Sequence, residues 1–288
     1  LIYVFNTGTE NDPALNLAFN YLSYLGTDKM TAEEIASEMY DIACSFYMNA
    51  GANQSSIQIT GLSENMGKAM EIVEGLIAGA KPDEAILENC KADMLKSRAD
   101  AKLNQSRCFG ALQRYLFYGG DFIRRTTLTD PALQALTSEQ LLAKIGGLMG
   151  KQHEVLYYGP QKETEVKSAL AEHHKVAADL QPLEKKFSTL LPTDANKVVL
   201  AQYDAKQLYY LQFSNRGEKF DVAADPEITL YNEYFGGGMN TIVFQEMREA
   251  RGLAYTAWAT LATPSNANGD YSYYAFIATQ NDKMQKAV

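Results

Sequence analysis

With 288 residues, 46% of them hydrophobic, the chain is long enough to bury roughly three quarters of its unfolded surface, which makes one domain plus part of another the natural count. Its formal net charge of −9 and pI near 5.0 argue against sequence-independent nucleic-acid binding, which draws on clustered Lys and Arg, so no nucleic acid is expected as a partner. The three cysteines (Cys44, Cys90, Cys108) lie in helical-looking segments without CxxC spacing or a nearby histidine, and no apolar run reaches the ~20 residues of a membrane span, so neither a disulfide framework, a structural zinc site nor a membrane span is expected.

In chain order, a strand at residues 2–5 runs into the polar turn NTGTENDP and a helix over residues 14–25. Thr31 and Glu34 have the spacing of a capping box, which starts a helix with Ile35, Met39, Ile42 and Phe46 on one side, with Phe46-Tyr47-Met48 also readable as strand. A period-two strand follows at 56–60, then a helix capped by Ser63 with Met66, Met70, Val73 and Ile77 inward. A long helix from Pro82 to about residue 103 and another over 107–118 form a helical layer, and DFIRR (121–125) reads as a charged surface loop. Thr137 and Gln140 form a second capping box, residues 153–158 a strand, and a last helix ends at His173 and His174, read as a solvated helix end. Residues 177–195, rich in Pro and charge, have no sustained periodicity, so the domains divide as 1–180, a linker at 181–196, and 197–288. Beyond it, 197–203 and 207–214 read as apolar strands, followed by a helix from Pro226.

The chain resembles itself. Asp12-Pro13 answers Asp225-Pro226 at an offset of 213; GTDKM answers GGGMN, and Tyr21, Tyr24 and Leu25 answer Tyr231, Tyr234 and Phe235, at 210; MGKAM answers MQKAV at 218. One complete repeat and the first part of a second are expected. The start inside LIYVF without methionine and the end just inside a helix make the chain read as a fragment lacking any targeting segment, with the compartment open between periplasm and cytoplasm.

Residues 234–255, YFGGGMNTIVFQEMREARGLAY, hold the most informative pattern. Gly236, Gly237 and Gly238 stop one helix and turn the chain into another, with Asn240 as its N-cap and Ile242, Val243, Phe244 and Met247 as its buried stripe. Gly252 ends that helix and Tyr255 opens a strand, so Arg248 and Tyr255 are set to share one space. Spacing alone leaves Arg248 readable as a solvated helix-end arginine beside Glu249, and Tyr255 as one of 18 tyrosines packed in a sheet. The glycines lie between two helices, not between strand and helix, which excludes a nucleotide-phosphate loop.

Two tandem copies of such a unit, the second carrying YFGGGMNTIVFQEMREARGLAYTAWA, resemble the pitrilysin/insulinase family, zinc metallopeptidases of the inverzincin type that carry H-x-x-E-H. The resemblance implies an α+β fold: a tandem repeat of metallopeptidase-like (LuxS/MPP-type) α/β sandwich domains, each an antiparallel-rich sheet covered by helices, with the second copy truncated. The motif, anchored on Leu25-Gly26-Thr27, maps onto Leu17, Asn20 and Tyr21, none of which replaces a histidine or the glutamate base. His153, His173 and His174 lie elsewhere without metal-ligand spacing.

The resemblance therefore implies the third domain and first part of the fourth of a four-domain clam-shell enzyme, the non-catalytic half facing the zinc site across a closed chamber. Zinc is expected in the parent protein and not in this chain. The family's substrate-contacting arginine and tyrosine fall on Arg248 and Tyr255, with Gly236, Gly237 and Gly238 beside them. The expected partners are a peptide substrate and an N-terminal catalytic half or partner subunit. The other reading the resemblance allows is a metal-free assembly or partner subunit of the same fold, without peptidase activity.

Overall fold

The computed structural model describes residues 1–183 and 188–288. Glu184, Lys185 and Lys186, in the expected linker, lie outside the described residues. The chain divides into two compact units, one of Leu1–Asp100 with Arg124–Phe187, the other of Ala101–Ile123 with Ser188–Val288.

The first unit carries β1 (Ile2–Phe5), α1 (Leu15–Leu22), α2 (Ala32–Asp41), β2 (Cys44–Ala50), β3 (Ser55–Gly61), α3 (Met66–Gly79) and α4 (Glu84–Lys102). After α5 (Gln105–Thr126), whose helix breaks at Gly119 (φ 82°), come α6 (Asp130–Ala135), α7 (Ser138–Met149), β4 (Glu154–Leu156) and α8 (Glu163–His173). Its sheet runs β2-β3-β1-β4, antiparallel throughout, with Tyr3 opposite Ile57 on one side and Val155 on the other. Tyr3, Phe5, Leu17, Tyr21, Leu22, Leu25, Met70 and Leu76 are all fully buried, so the apolar faces of β1, α1 and α3 meet in one core.

Local signals account for most of these elements. Both capping boxes form: the Thr31 N–H donates to Glu34 Oε2 at 2.8 Å, and the Thr137 N–H to Gln140 Oε1 at 3.1 Å, with the reciprocal bonds in place.

Elsewhere the structure departs from expectation. DFIRR is helical, because Phe122 is buried and holds the segment down. Ser63 opens a 3-10 turn that leads into α3 and does not cap it. Cys44 is buried in a strand, β2, and not in a helix; the same strand takes in Phe46, which follows the strand reading of 46–48. Residues 197–203 form no strand: Val198 and Leu200 are exposed, and an apolar run without a neighbouring ladder does not become a strand.

The second unit carries β5 (Gln207–Ser214), α9 (Asp225–Phe235), α10 (Ile242–Phe244) continuing as a π-helix (Gln245–Ala250), β6 (Ala254–Ala262), β7 (Ser272–Gln280) and α11 (Met284–Ala287). Its sheet order is β5-β7-β6, antiparallel. The register sets Leu211, Phe276 and Trp258 side by side. Phe109 of α5 packs on Tyr209 and Phe276 at 5.5 and 5.9 Å, and Phe117 on Phe213 and Tyr274 at 4.6 and 5.4 Å, so half-buried aromatic pairs join α5 to this sheet.

The internal repeat is visible in the topology. Strand, helix, helix, two hairpin strands, a 3-10 turn and a helix follow in the same order in both units, and β2-β3-β1 corresponds to β6-β7-β5.

Candidate functional site

The site is built where α9 stops. Asn232 O accepts from the N–H groups of both Gly236 (3.2 Å) and Gly237 (2.7 Å), closing the helix on its last turn. The turn then lies against β6: Ala259 N–H donates to Gly236 O at 3.3 Å, and a Cβ on Gly236 would stand 2.2 Å from Ala259 O. Asn232 extends the same edge, its side-chain amide accepting from Leu261 N–H (2.9 Å) and donating to Leu261 O (3.0 Å). A Cβ on Gly237 would meet Asn232 O at 2.8 Å, whereas one on Gly238 would meet nothing within 4 Å. Close backbone approach therefore demands glycine at 236 and 237 only.

The next helix begins one residue later than its sequence suggests. Thr241, buried and extended (φ −83°, ψ 159°), precedes α10, and its hydroxyl donates to Gly238 O at 2.6 Å. Ile242 is exposed, while Val243, Phe244 and Met247 are half-buried, so the expected apolar stripe is not a core stripe. Across Gln245–Ala250 the helix is a π turn, whose wider ladder shifts Met247 and Arg248 off the 3.6-residue period. Gly252, with φ +57°, ends the helix by passing its N–H back to Arg248 O at 3.1 Å.

Arg248 and Tyr255 come together. The Arg248 guanidinium carbon lies 4.9 Å from the Phe244 ring centroid and 5.0 Å from that of Tyr255, so the cation sits against both rings. Its Nε is 3.5 Å from Glu249 Oε1, both side chains being partly exposed, a pairing of small energetic weight. Tyr255 falls where the β6–β7 register shifts between Ala254 and Thr256, and it is 69% exposed. A bulge of this kind re-aims a side chain away from the alternation of its strand. Phe244, assigned by the sequence to the core, is instead one face of this site; its spacing of four from Arg248 was the available signal.

Of the positions onto which the resemblance maps a metal-binding motif, Leu17 and Tyr21 are buried and Asn20 is exposed. Leu17 is buried at 1% exposure within the core. The Tyr21 hydroxyl receives the Asp83 N–H (2.7 Å) and donates its one hydrogen to Ser138 Oγ (2.8 Å), with Asp83 O 3.1 Å away. Asn20 Oδ1 has only a long contact with Cys90 Sγ at 4.0 Å. An apolar side chain, an amide and an engaged phenol do not fit zinc. Among the described residues, no group of three or more His, Cys, Asp or Glu is arranged to hold a metal ion. No helix among them is long and apolar enough to cross a membrane.

The histidines depart most from expectation. His174 is no solvated helix end: its side chain is buried against Glu74 of α3, 2.6 Å from Nδ1 to Oε1, and its Nε2 lies 2.9 Å from that of His153. Burial pushes the Glu74 carboxyl up, but hydrogen bonds from His174, the Lys175 N–H and Tyr3 outweigh it and hold the group below the usual carboxylate range. Burial and the neighbouring Glu74 raise the Tyr3 phenol far above its ordinary value, which keeps it a proton donor. Residues 21 apart in sequence share no period, so only folding brings His153 and His174 together.

Residues 151–288 match the family described as Peptidase M16 inactive domain. An uncharacterized zinc protease of Streptomyces coelicolor is 22% identical over 269 residues, 87% of this chain and 56% of that protein. The chain thus spans little more than half the length of that curated relative. A peptidase M16 inactive domain from Pseudomonas fluorescens superposes with a TM-score of 0.76 at 16% identity, covering 99% of this chain and 70% of that one. The periplasmic protease PqqL from Escherichia coli superposes with a TM-score of 0.77 at 14% identity, covering 99% of this chain and 32% of that one. Sequence match and fold agree in one direction: the chain is similar to the inactive, C-terminal domains of the M16 peptidases, the pitrilysin/insulinase family.

Proposed function

We propose that this chain is the non-catalytic half of a zinc-dependent metalloendopeptidase, closing the chamber over a peptide substrate and contacting its backbone through Arg248 and Tyr255. The observation that carries the reading is the pairing of an arginine held against two rings with an exposed tyrosine lifted by a bulge. A guanidinium whose plane is set by ring contacts presents its N–H groups in a fixed fork, and a phenol beside it adds one more donor. Donors of this kind lower the barrier when negative charge develops on a scissile carbonyl oxygen, by ~3 kcal/mol each. Zinc and the base that activates its water belong to the catalytic half, on the same or another chain. Gly236 and Gly237 serve by letting the turn seat on β6, and Gly238 offers an unobstructed backbone beside the site.

In the same reading, residues 1–180 and 197–288 are two peptidase-like domains joined by 181–196. The decisive experiment is Arg248→Ala and Tyr255→Phe in the intact peptidase, with kcat/KM measured on peptides. A fall in kcat/KM supports substrate contact. Unchanged values would remove both residues from the site and favour a metal-free partner subunit. Calorimetry on the chain alone tests the metal assignment: no stoichiometric zinc is expected, and tight one-site binding would show that the motif has been mapped onto the wrong residues.

A further inference from the structure

All three histidines of the chain gather in one cluster built on two glutamates of α3, Glu71 and Glu74. Glu74 Oε1 accepts from the Tyr3 hydroxyl at 2.8 Å and stands 2.6 Å from His174 Nδ1, while its Oε2 accepts from the Lys175 N–H at 2.9 Å. His174 Nε2 is 2.9 Å from His153 Nε2, and His153 Nδ1 is 2.7 Å from the Lys151 carbonyl. Tyr3 stacks on the His174 ring at 4.5 Å and Phe5 lies 4.9 Å from the His153 ring, so aromatic walls from β1 shield the pair.

Valence fixes the number of protons in this chain of contacts. A carbonyl only accepts, so His153 Nδ1 carries a hydrogen. Two ring nitrogens at 2.9 Å need one proton between their lone pairs, and the contact from His174 to the Glu74 carboxylate needs another. Three protons on two imidazoles is one more than two neutral rings carry, so one ring is imidazolium and its charge balances Glu74. With a further proton, two imidazolium N–H groups would oppose each other at 2.9 Å. With one fewer, two acceptors would face each other at one of the three contacts: the two Nε2 lone pairs, the His174 Nδ1 lone pair and the carboxylate, or the His153 Nδ1 lone pair and the Lys151 carbonyl.

We infer that His153, His174 and Glu74 form a proton-counting clasp, which fastens the end of α8 and the entry to β4 onto α3 and β1 in one protonation state and loosens when a proton is added or removed. The groups facing it are Tyr3 from β1, Glu71 and Glu74 from α3, the Lys151 carbonyl and His153 before β4, and Glu172, His173 and the Lys175 N–H around the end of α8. His173, 3.0 Å from Glu71 and 3.8 Å from Glu172, lies outside the shared-proton chain. The proton exchanged is that of the solvent, and no other reactant is needed.

The test uses the full 288-residue chain. Long-range imidazole ¹H–¹⁵N spectra near neutral pH are expected to show His153 protonated at Nδ1 and one low-field proton coupled to the Nε2 atoms of both rings. The urea midpoint should peak near neutrality and fall toward both about pH 5 and about pH 9. In His153→Phe, only one imidazolium can form beside the carboxylate, so the drop between pH 7 and pH 5 should shrink by at least about twofold. His173→Gln should retain it. Independent titration of His153 and His174 as two ordinary rings would overturn the clasp, as would matching pH profiles for the wild type and His153→Phe. Should that variant fail to fold, the wild-type spectra decide by themselves.

Discussion

The two copies of the repeat use the same element order for opposite ends. At an offset of 210, Gly26 faces Gly236, Thr31 faces Thr241 at the start of a helix, and Cys44 faces Ala254 at the start of a strand. In the first copy Thr31 closes a capping box, α2 runs as a regular α-helix and buries Ile35 and Met39, and the strands and helices around it bury large side chains completely. In the second copy Thr241 makes no side-chain cap, the helix widens into a π turn, and the buried residues of α9, β6 and α11 are mostly alanines. Arg248 and Tyr255 occupy positions held in the first copy by Glu38, ion-paired with Lys68, and by Ser45. One copy spends its sequence on a core, the other on presenting side chains at a surface.

The sharpest break with that contrast would come from exchanging roles. Under the proposed function, Arg248→Ala in the intact protein is expected to lower kcat/KM on peptides by about 100-fold, roughly 3 kcal/mol, with Tyr255→Phe a smaller loss. Glu38→Ala, its first-copy counterpart, should leave the rate unchanged; a comparable fall there would dissolve the distinction between the copies.

The glycine turn separates packing from contact. Gly236→Val drives a side chain into Ala259 and should lower stability by about 1–3 kcal/mol or more, read from urea unfolding, while Gly238→Ala should be near neutral. A rate loss without a stability loss in Gly238→Ala would mean that this backbone touches substrate.

In the first copy, Tyr21→Phe removes the phenol bonded to Ser138 and Asp83 and should cost about 1–2 kcal/mol, with no change in metal affinity. A variant as stable as the wild type would show that these hydrogen bonds do not hold Tyr21 in the core.

The smallest effect is in acid. A carboxyl held below its ordinary value contributes stability above that value, near 4.5, and loses it as pH falls through the folded value. Glu74→Gln should therefore respond less than the wild type between about pH 5 and about pH 3, measured as a change in urea midpoint. An identical response would assign the acid sensitivity to other carboxylates.

Much of the fold was legible because its signals are local. Thr31 with Glu34 and Thr137 with Gln140 define helix starts within four residues, and the apolar run at 207–214 gives a strand with the observed bounds. The nearness of Arg248 to Tyr255 was also legible, since only a helix end, Gly252 and the start of a strand separate them. The run at 197–203 misled because apolarity invites a strand but only a neighbouring ladder completes one.

By itself, then, the sequence determined the repeated α+β unit, the glycine turn and the absence of ligand residues at Leu17, Asn20 and Tyr21, all set by spacing within a few residues or by residue identity. Only the tertiary structure decided that Gly236 is held by Ala259, that Phe244 and Tyr255 close on Arg248, and that three scattered histidines meet on α3. Those depend on contacts between distant segments, where no periodicity carries the information and packing alone selects the partner.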